Sequence, residues 1–255
     1  MGAIYKAISK VNMETEFPIQ VFVISLVRSA GRRARVIEQL NKTNIQWSFL
    51  DAVDGYALPQ MPQSYQKSKV KRLQGYELTP GEVGCFLSHI KAWELCDRNN
   101  LITLVFEDDF LVGDNLEKVI QDLLSIPDQW SLLRLSGIYD TEYEILSQRA
   151  GFEVVQNLGE PCGTAAYLVQ PAAARILLKH AKEIYEPVDH YLQHYAKHGL
   201  RCLATNPYPI GLAQSKSTIT DRPGRKPVRG IAKTLRSIFR FFDRYFSSAP
   251  WFPKT

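Results

Sequence analysis

The sequence predicts an α/β fold built on a mostly parallel central sheet. Three observations carry this. Continuous apolar runs recur along the chain, the pattern of strands buried on both faces. Segments with helical spacing lie between them, and the order strand, helix, strand calls for parallel crossovers.

The elements follow in order. Gln20–Leu26 is the first apolar run. A short basic helix is expected from Ser29 to Thr43, with Val36, Ile37 and Leu40 at helical spacing. Trp47–Val53 reads as a second strand ended by Asp54-Gly55. Residues 56–77 are polar, carry two prolines and read as a long loop. Thr79-Pro-Gly-Glu82 opens a helix to about Asp97: Thr79 caps, Pro80 suits the first turn and Glu82 closes a capping box. Leu101–Phe106 is the next strand, and it ends in Glu107-Asp108-Asp109. A helix at 115–124 and a strand at 132–135 follow. Residues 139–160 read as irregular strands and loops. Cys162–Val169 is a small-residue turn into a strand; helices open at Pro171 and Pro187, the second running to about Lys197; Leu200–Ala204 is a last short strand.

Composition bounds the class. The chain has 255 residues, 45% apolar and 22% charged, enough for one large domain with an appendage and unlike a mostly disordered chain. No run of about 18 apolar residues spans a membrane. Cys85, Cys96, Cys162 and Cys202 form no C-x-x-C pair, which argues against a structural zinc site and fits reduced thiols in a cytosolic protein. No uninterrupted apolar stretch marks an export leader at the N-terminus. The net charge of +5 is uneven. Nine Lys/Arg and one acid fall between Arg222 and Lys254, so the body is mildly acidic and the tail basic. That balance disfavours a nucleic-acid binder, whose basic stripes would lie within the fold.

The chemistry concentrates where strands end. Three adjacent carboxylates after an apolar strand repel one another unless a cation or hydrogen bonds compensate. At the carboxyl end of a sheet, Glu107 and Asp109 form an acid-x-acid pair suited to a divalent metal with oxygen ligands, and a solvated acidic turn is the bland alternative. Asp189 stands in the first turn of a helix, either as a dipole-favoured end residue or as a general base. Arg28, Arg32 and Arg33 follow the first strand and can meet phosphate or simply sit at an exposed helix start. Asp51 and Asp54 close the second strand, where a carboxylate can receive a ribose hydroxyl or serve the turn. Ser88-His89 lies inside a helix, where a lone His is usually structural.

Several segments together resemble glycosyltransferase family 25, the bacterial lipooligosaccharide galactosyltransferase group to which collagen galactosyltransferase domains are related. They are Val23-Ile-Ser-Leu-Val-Arg-Ser29 with Arg32-Arg33, Phe49-Leu-Asp-Ala-Val-Asp-Gly55, the stretch from Leu78 to His89 with Trp93, Val105-Phe-Glu-Asp-Asp109, Gly163-Thr-Ala-Ala-Tyr167 and Pro187-Val-Asp189. The likeness spans roughly residues 19–220. It implies a GT-A type nucleotide-sugar-binding domain there, flanked by an extension at 1–18 and a basic segment at 221–255. It further implies a divalent metal (Mn2+ or Mg2+) and transfer of galactose from UDP-galactose to a sugar hydroxyl of a lipooligosaccharide or lipopolysaccharide core, with inversion to a β-linkage. Carried over, Asp109 and Glu107 are metal ligands, though the first acid here is Glu where the family pattern has Asp. Asp189 is the base, and Arg28, Asp51, Asp54, Ser88, His89 and Asp108 fall in donor-site segments.

The tail shows the clearest period in the chain. Ile231, Leu235, Ile238, Phe242 and Tyr245 share one helical stripe, and Arg229, Lys233, Arg236, Arg240 and Arg244 oppose it. This is the pattern of a basic amphipathic helix at an anionic membrane surface, with a final helix packed on the body as the alternative. A lipid-linked oligosaccharide acceptor at the cytoplasmic face of the bacterial inner membrane would suit it. Transfer of another UDP-sugar such as glucose, a metal-dependent nucleotidyltransferase and a non-catalytic adaptor are the competing functions.

Overall fold

The computed structural model describes residues 19–213. Its backbone is an eight-stranded sheet between two helical layers. Strand β1 (Ile19–Ser25) lies beside β2 (Ser48–Asp51) on one side and β3 (Ile102–Glu107) on the other, both parallel. The sheet continues through β8 (Ala166–Val169), β5 (Leu132–Arg134), β9 (Cys202–Asn206), β7 (Phe152–Asn157) and β6 (Tyr143–Arg149). Strands β5 and β9 are parallel, whereas β8 runs against both its neighbours and β7 against both of its own. Six of the eight strands therefore point one way, and the pairing is mixed rather than uniformly parallel.

Alternation along the central strands splits the core. Ile24, Val105, Leu132 and Tyr167 face helices α2 (Lys67–Gln74), α3 (Pro80–Asn99), α5 (Pro171–His180) and α6 (Val188–Gln193). Val23, Leu104, Phe106 and Leu168 face α1 (Ala30–Leu40) and α4 (Leu116–Leu124). Helix coverage of both faces is why these strands read as unbroken apolar runs. Helix α3 carries the expected capping box: Glu82 N–H donates to the Thr79 hydroxyl at 3.2 Å, and Thr79 N–H donates to the Glu82 carboxylate at 2.9 Å. It ends at Asn100 in the left-handed conformation (φ 52).

The structure corrects two expectations, sharpens a third and adds one strand pair. The predicted loop at 56–77 holds α2, whose buried apolar residues are Val70 and Leu73 alone, with Gln74 buried beside them, too thin a stripe to read as a helix. The irregular stretch at 139–160 is a paired hairpin, β6 and β7, with a register shift between Ile145 and Ser147. Its first strand is mostly exposed, so it lacks the alternation that marks a half-buried strand. The helix opening at Pro187 breaks at His194 into α6 and α7 (Tyr195–His198). A further pair, β4 (Phe110–Val112) with β10 (Ile210–Leu212), flanks the acidic turn, each strand too short to show a period. Among the described residues no helix is long and apolar enough to cross a membrane. The proposed tail helix lies outside them.

Candidate functional site

The carboxyl ends of β1, β2 and β3 open onto a cleft of about 690 Å³, its open mouth included. Ser25, Arg28, Arg32, Asp54, Tyr56, Cys85, Ser88 and all three acids from Glu107 to Asp109 line it. Strand β3 stops at Glu107, and Asp108-Asp109 turn into β4. The acids therefore sit on a turn rather than a continued strand, yet Glu107 and Asp109 both reach the cleft.

The three carboxylates have different fates. Asp108 accepts from the Ser25 hydroxyl and from the Arg32 guanidinium, each at 2.7 Å, with both side chains of the ion pair largely buried. Its two oxygens are thus committed to holding α1 against β1. Glu107 offers one oxygen to the Thr164 hydroxyl and to His89 Nε2. Burial pushes its carboxyl up, but the hydrogen bonds from His89 and Thr164, with the Arg134 charge, outweigh this and leave it below the ordinary range. At Asp109 the Arg32 charge gives only partial relief. Burial, then the adjacent Glu107 charge, push its carboxyl up to about 7.

That contrast tests the metal expectation. Glu107 is held ionised with one oxygen still to spare, and Asp109 carries a charge its surroundings disfavour; together they supply hard oxygen donors that a divalent cation would neutralise. Glu107 and Asp109 fit such an ion, and Asp108 does not. A softer set of Cys85, His89 and Glu107 also lies close. Both His89 ring nitrogens are engaged, however, and burial holds the Cys85 thiol well above its ordinary range.

His89 is wholly buried. Trp93 Nε1–H donates to the Tyr167 hydroxyl at 2.9 Å, so the tyrosine proton is left for His89 Nδ1 at 2.8 Å. His89 Nε2–H then points at Glu107 at 3.3 Å. This residue braces Glu107 from behind and does not face the cleft. Ser88 is equally buried, accepting from Val53 N–H at 2.8 Å and donating to the Gly84 carbonyl at 2.7 Å. It pins the loop after β2 onto α3. Gly55 and Gly84 make that contact possible, since a Cβ on Gly84 would stand 2.6 Å from Gly55 N and Val53 O.

The basic and acidic pairs at the rim are equally specific. Arg28 donates to Asp54 at 2.6 Å, which lowers the Asp54 carboxyl, and Asp54 also caps the turn at Tyr56. Arg33 pairs with Asp51 instead. The Asp51 side chain is 64% exposed and is not part of the cleft lining.

Asp189 comes from the far end of the sequence to the same neighbourhood. The Cys85 thiol is pushed up by the charges of Glu107, Asp189 and Asp109 in that order, after burial, which places all three around it. Gly163 N–H and His190 N–H donate to the Asp189 carboxylate at 3.3 and 3.0 Å. Gly163 adopts φ +73, the left-handed region that favours glycine. Beneath lies Arg134, 1% exposed, donating to the carbonyls of Cys162, Gly163 and Asp189. One buried guanidinium thus fastens the 162–164 turn to the start of α6. Residues 163 and 164 then present an N–H to Asp189 and a hydroxyl to Glu107. Sequence reading passed over Arg134; an arginine inside Leu132-Leu-Arg-Leu135 was the available signal, because a charge on a buried strand must have a partner.

Residues 18–192 match the family model described as glycosyltransferase family 25 (LPS biosynthesis protein). The chain is 36% identical over 188 residues to a protein of Rattus norvegicus named probable inactive glycosyltransferase 25 family member 3, covering 68% of this chain and 32% of that protein. It is 26% identical over 235 residues to procollagen galactosyltransferase 1 of Danio rerio, covering 79% of this chain and 38% of the relative. It is 27% identical over 177 residues to the lipooligosaccharide biosynthesis protein lic2B of Haemophilus influenzae, 62% of each. The chain thus spans about a third of the length of these animal relatives.

Proposed function

The chain belongs to glycosyltransferase family 25, and on that premise we propose that it is a metal-dependent, inverting galactosyltransferase acting from UDP-galactose on a sugar hydroxyl of a lipid-linked oligosaccharide. The observation that carries the reading is the pairing of Glu107 and Asp109 in one cleft, with Asp109 pushed up to about 7 by burial and by the Glu107 charge. Manganese or magnesium bound by these two carboxylates would offset the charge growing on the departing diphosphate.

The other residues have separate tasks. Arg28 at the cleft mouth meets the diphosphate, exchanging its Asp54 partner for phosphate oxygens. Tyr56 lines the same cleft and is 42% exposed, a ring on which uracil can stack. Asp189, its carboxylate aimed by two backbone N–H groups, takes the proton from the attacking hydroxyl. Inversion needs in-line attack from the face opposite the leaving UDP, and no covalent enzyme intermediate. Asp108, Ser88, His89 and Arg134 are positioning residues, and Asp51 has no place in the donor site.

The relatives named inactive favour a second reading, a member that binds donor without turning it over. UDP release from UDP-galactose with a glycan panel, with and without EDTA, separates the two. Chelator-sensitive UDP release supports the enzyme; UDP binding without release supports the alternative, and pyrophosphate release would point to a nucleotidyltransferase. UDP-glucose in a parallel arm tests the sugar. The basic segment at 221–255 is proposed to hold the enzyme on anionic lipid at the cytoplasmic face of the inner membrane. Flotation with anionic liposomes that is unchanged by deleting residues 226–255 would refute this.

A further inference from the structure

An apolar surface stands beside the turn that holds Asp189. Ile138 is 50% exposed, Tyr139 62% and Leu158 65%, and none of them belongs to either core. Exposed apolar groups gathered beside a site mark a binding surface more often than chance. Their backbone is firmly placed. Ile138 N–H and Tyr139 N–H both donate to the Pro161 carbonyl, at 2.9 and 3.0 Å. Leu158 N–H donates to Glu142 O at 2.8 Å, and the Thr141 hydroxyl donates to Asn157 at 2.9 Å. Residues 138–142 and 157–161 thus run side by side as a stem from the hairpin to the site. The Ile138 side chain closes on Gly163, where a Cβ would stand 2.9 Å from it. Gly163 N–H is the donor that aims Asp189. A single residue, Cys162, separates Pro161, which anchors Tyr139, from Gly163, which holds the base.

The charges around this surface restrict what it can take. Asp140, Glu142 and Glu160 are exposed on the same stem, and no Lys or Arg lies between Ile138 and Gln148 or between Phe152 and Tyr167. Three carboxylates repel a phosphorylated or sialylated ligand, and an anionic bilayer, but they accept hydrogen bonds from hydroxyl groups. A planar ring with apolar flanks and acceptor groups beside it suits the C–H face of a pyranose, whose hydroxyls point to the rim.

We propose that the Ile138–Tyr139 surface is the acceptor subsite, and that it takes a neutral saccharide ring stacked on Tyr139 with its hydroxyl delivered to Asp189. The assignment rests on the glycosyltransferase reading and adds the acceptor's class to it. The test applies the full chain, with UDP and Mn2+, to an array of neutral, sialylated and phosphorylated glycans, and measures UDP affinity in parallel. The wild type and Tyr139→Phe retain neutral glycans preferentially. Tyr139→Ala loses at least tenfold in glycan binding while its UDP affinity stays within twofold. Capture of no neutral glycan, preference for charged glycans, or undiminished binding by Tyr139→Ala overturns the subsite. Failure of the wild type to bind UDP overturns the glycosyltransferase reading instead, so the two failures are distinguishable.

Discussion

Asp109→Asn should make the metal-free protein more stable while abolishing its response to manganese. A carboxyl raised from 3.8 to about 7 in the fold keeps its proton there over a range in which the unfolded chain has released it. The folded state then binds more protons, so this group's contribution to stability falls as pH rises from about 4 to about 7 and stays low above that. At about 1.4 kcal/mol per unit the full shift would amount to roughly 4 kcal/mol. Asp109 is only partly buried and water relaxes around it, so about 1–2 kcal/mol is the working figure. Asparagine keeps the shape without the charge. In EDTA at pH 8, calorimetry should show the variant melting about 2–8 °C above the wild type, at about 2–4 °C per kcal/mol for a domain of this size. At pH 5 the difference should shrink. Manganese at a hundred times its dissociation constant stabilises a binder by about 2.7 kcal/mol, enough to carry the wild type past the variant. A variant that melts lower than wild type in EDTA at pH 8, or that gains as much from manganese, refutes the assignment of Asp109.

Three further outcomes follow from the same geometry. Asp189→Asn should keep wild-type UDP affinity in calorimetry and lose about 10²–10⁴-fold in kcat. Gly84→Ala should push the 53–56 loop off α3, because its Cβ would stand 2.6 Å from Val53 O; about 1–3 kcal/mol of stability and at least tenfold in UDP affinity should go with it, read by denaturant unfolding and titration. Arg134→Met removes the donors to three carbonyls and should cost about 3–5 kcal/mol, visible as a lower denaturant midpoint, with a larger loss in kcat than in UDP affinity because the 162–164 turn carries Asp189 and Thr164.

Most of the sheet was legible in the sequence because helices cover both faces, so β1, β3 and β8 are continuous apolar runs with sharp ends. The start of α3 was legible for a local reason, since a capping box needs only four residues. What escaped was set by tertiary contact. Helix α2 rests on two buried apolar side chains, β4 and β10 on each other, and β6 on its pairing with β7. The acidic turn announced itself by composition, but not the division of labour within it. Only the fold reveals that Ser25 and Arg32 consume Asp108, and that a relay from Trp93 through Tyr167 and His89 ends on Glu107. Arg28, expected to meet phosphate, is paired with Asp54, itself expected at the donor; the pair marks the cleft mouth. Asp51 shows the opposite outcome, an exposed residue at the end of β2 that pairs with Arg33 outside the cleft lining.

The most direct measurement is an anomalous difference map at the manganese edge from crystals grown with UDP and Mn2+. A single strong peak bonded to Glu107 and Asp109, with the diphosphate on its far side and Asp108 still on Arg32, is the predicted result. A peak on Cys85 and His89, or a nucleotide bound away from the β1–β3 edge with both carboxylates free, would contradict it.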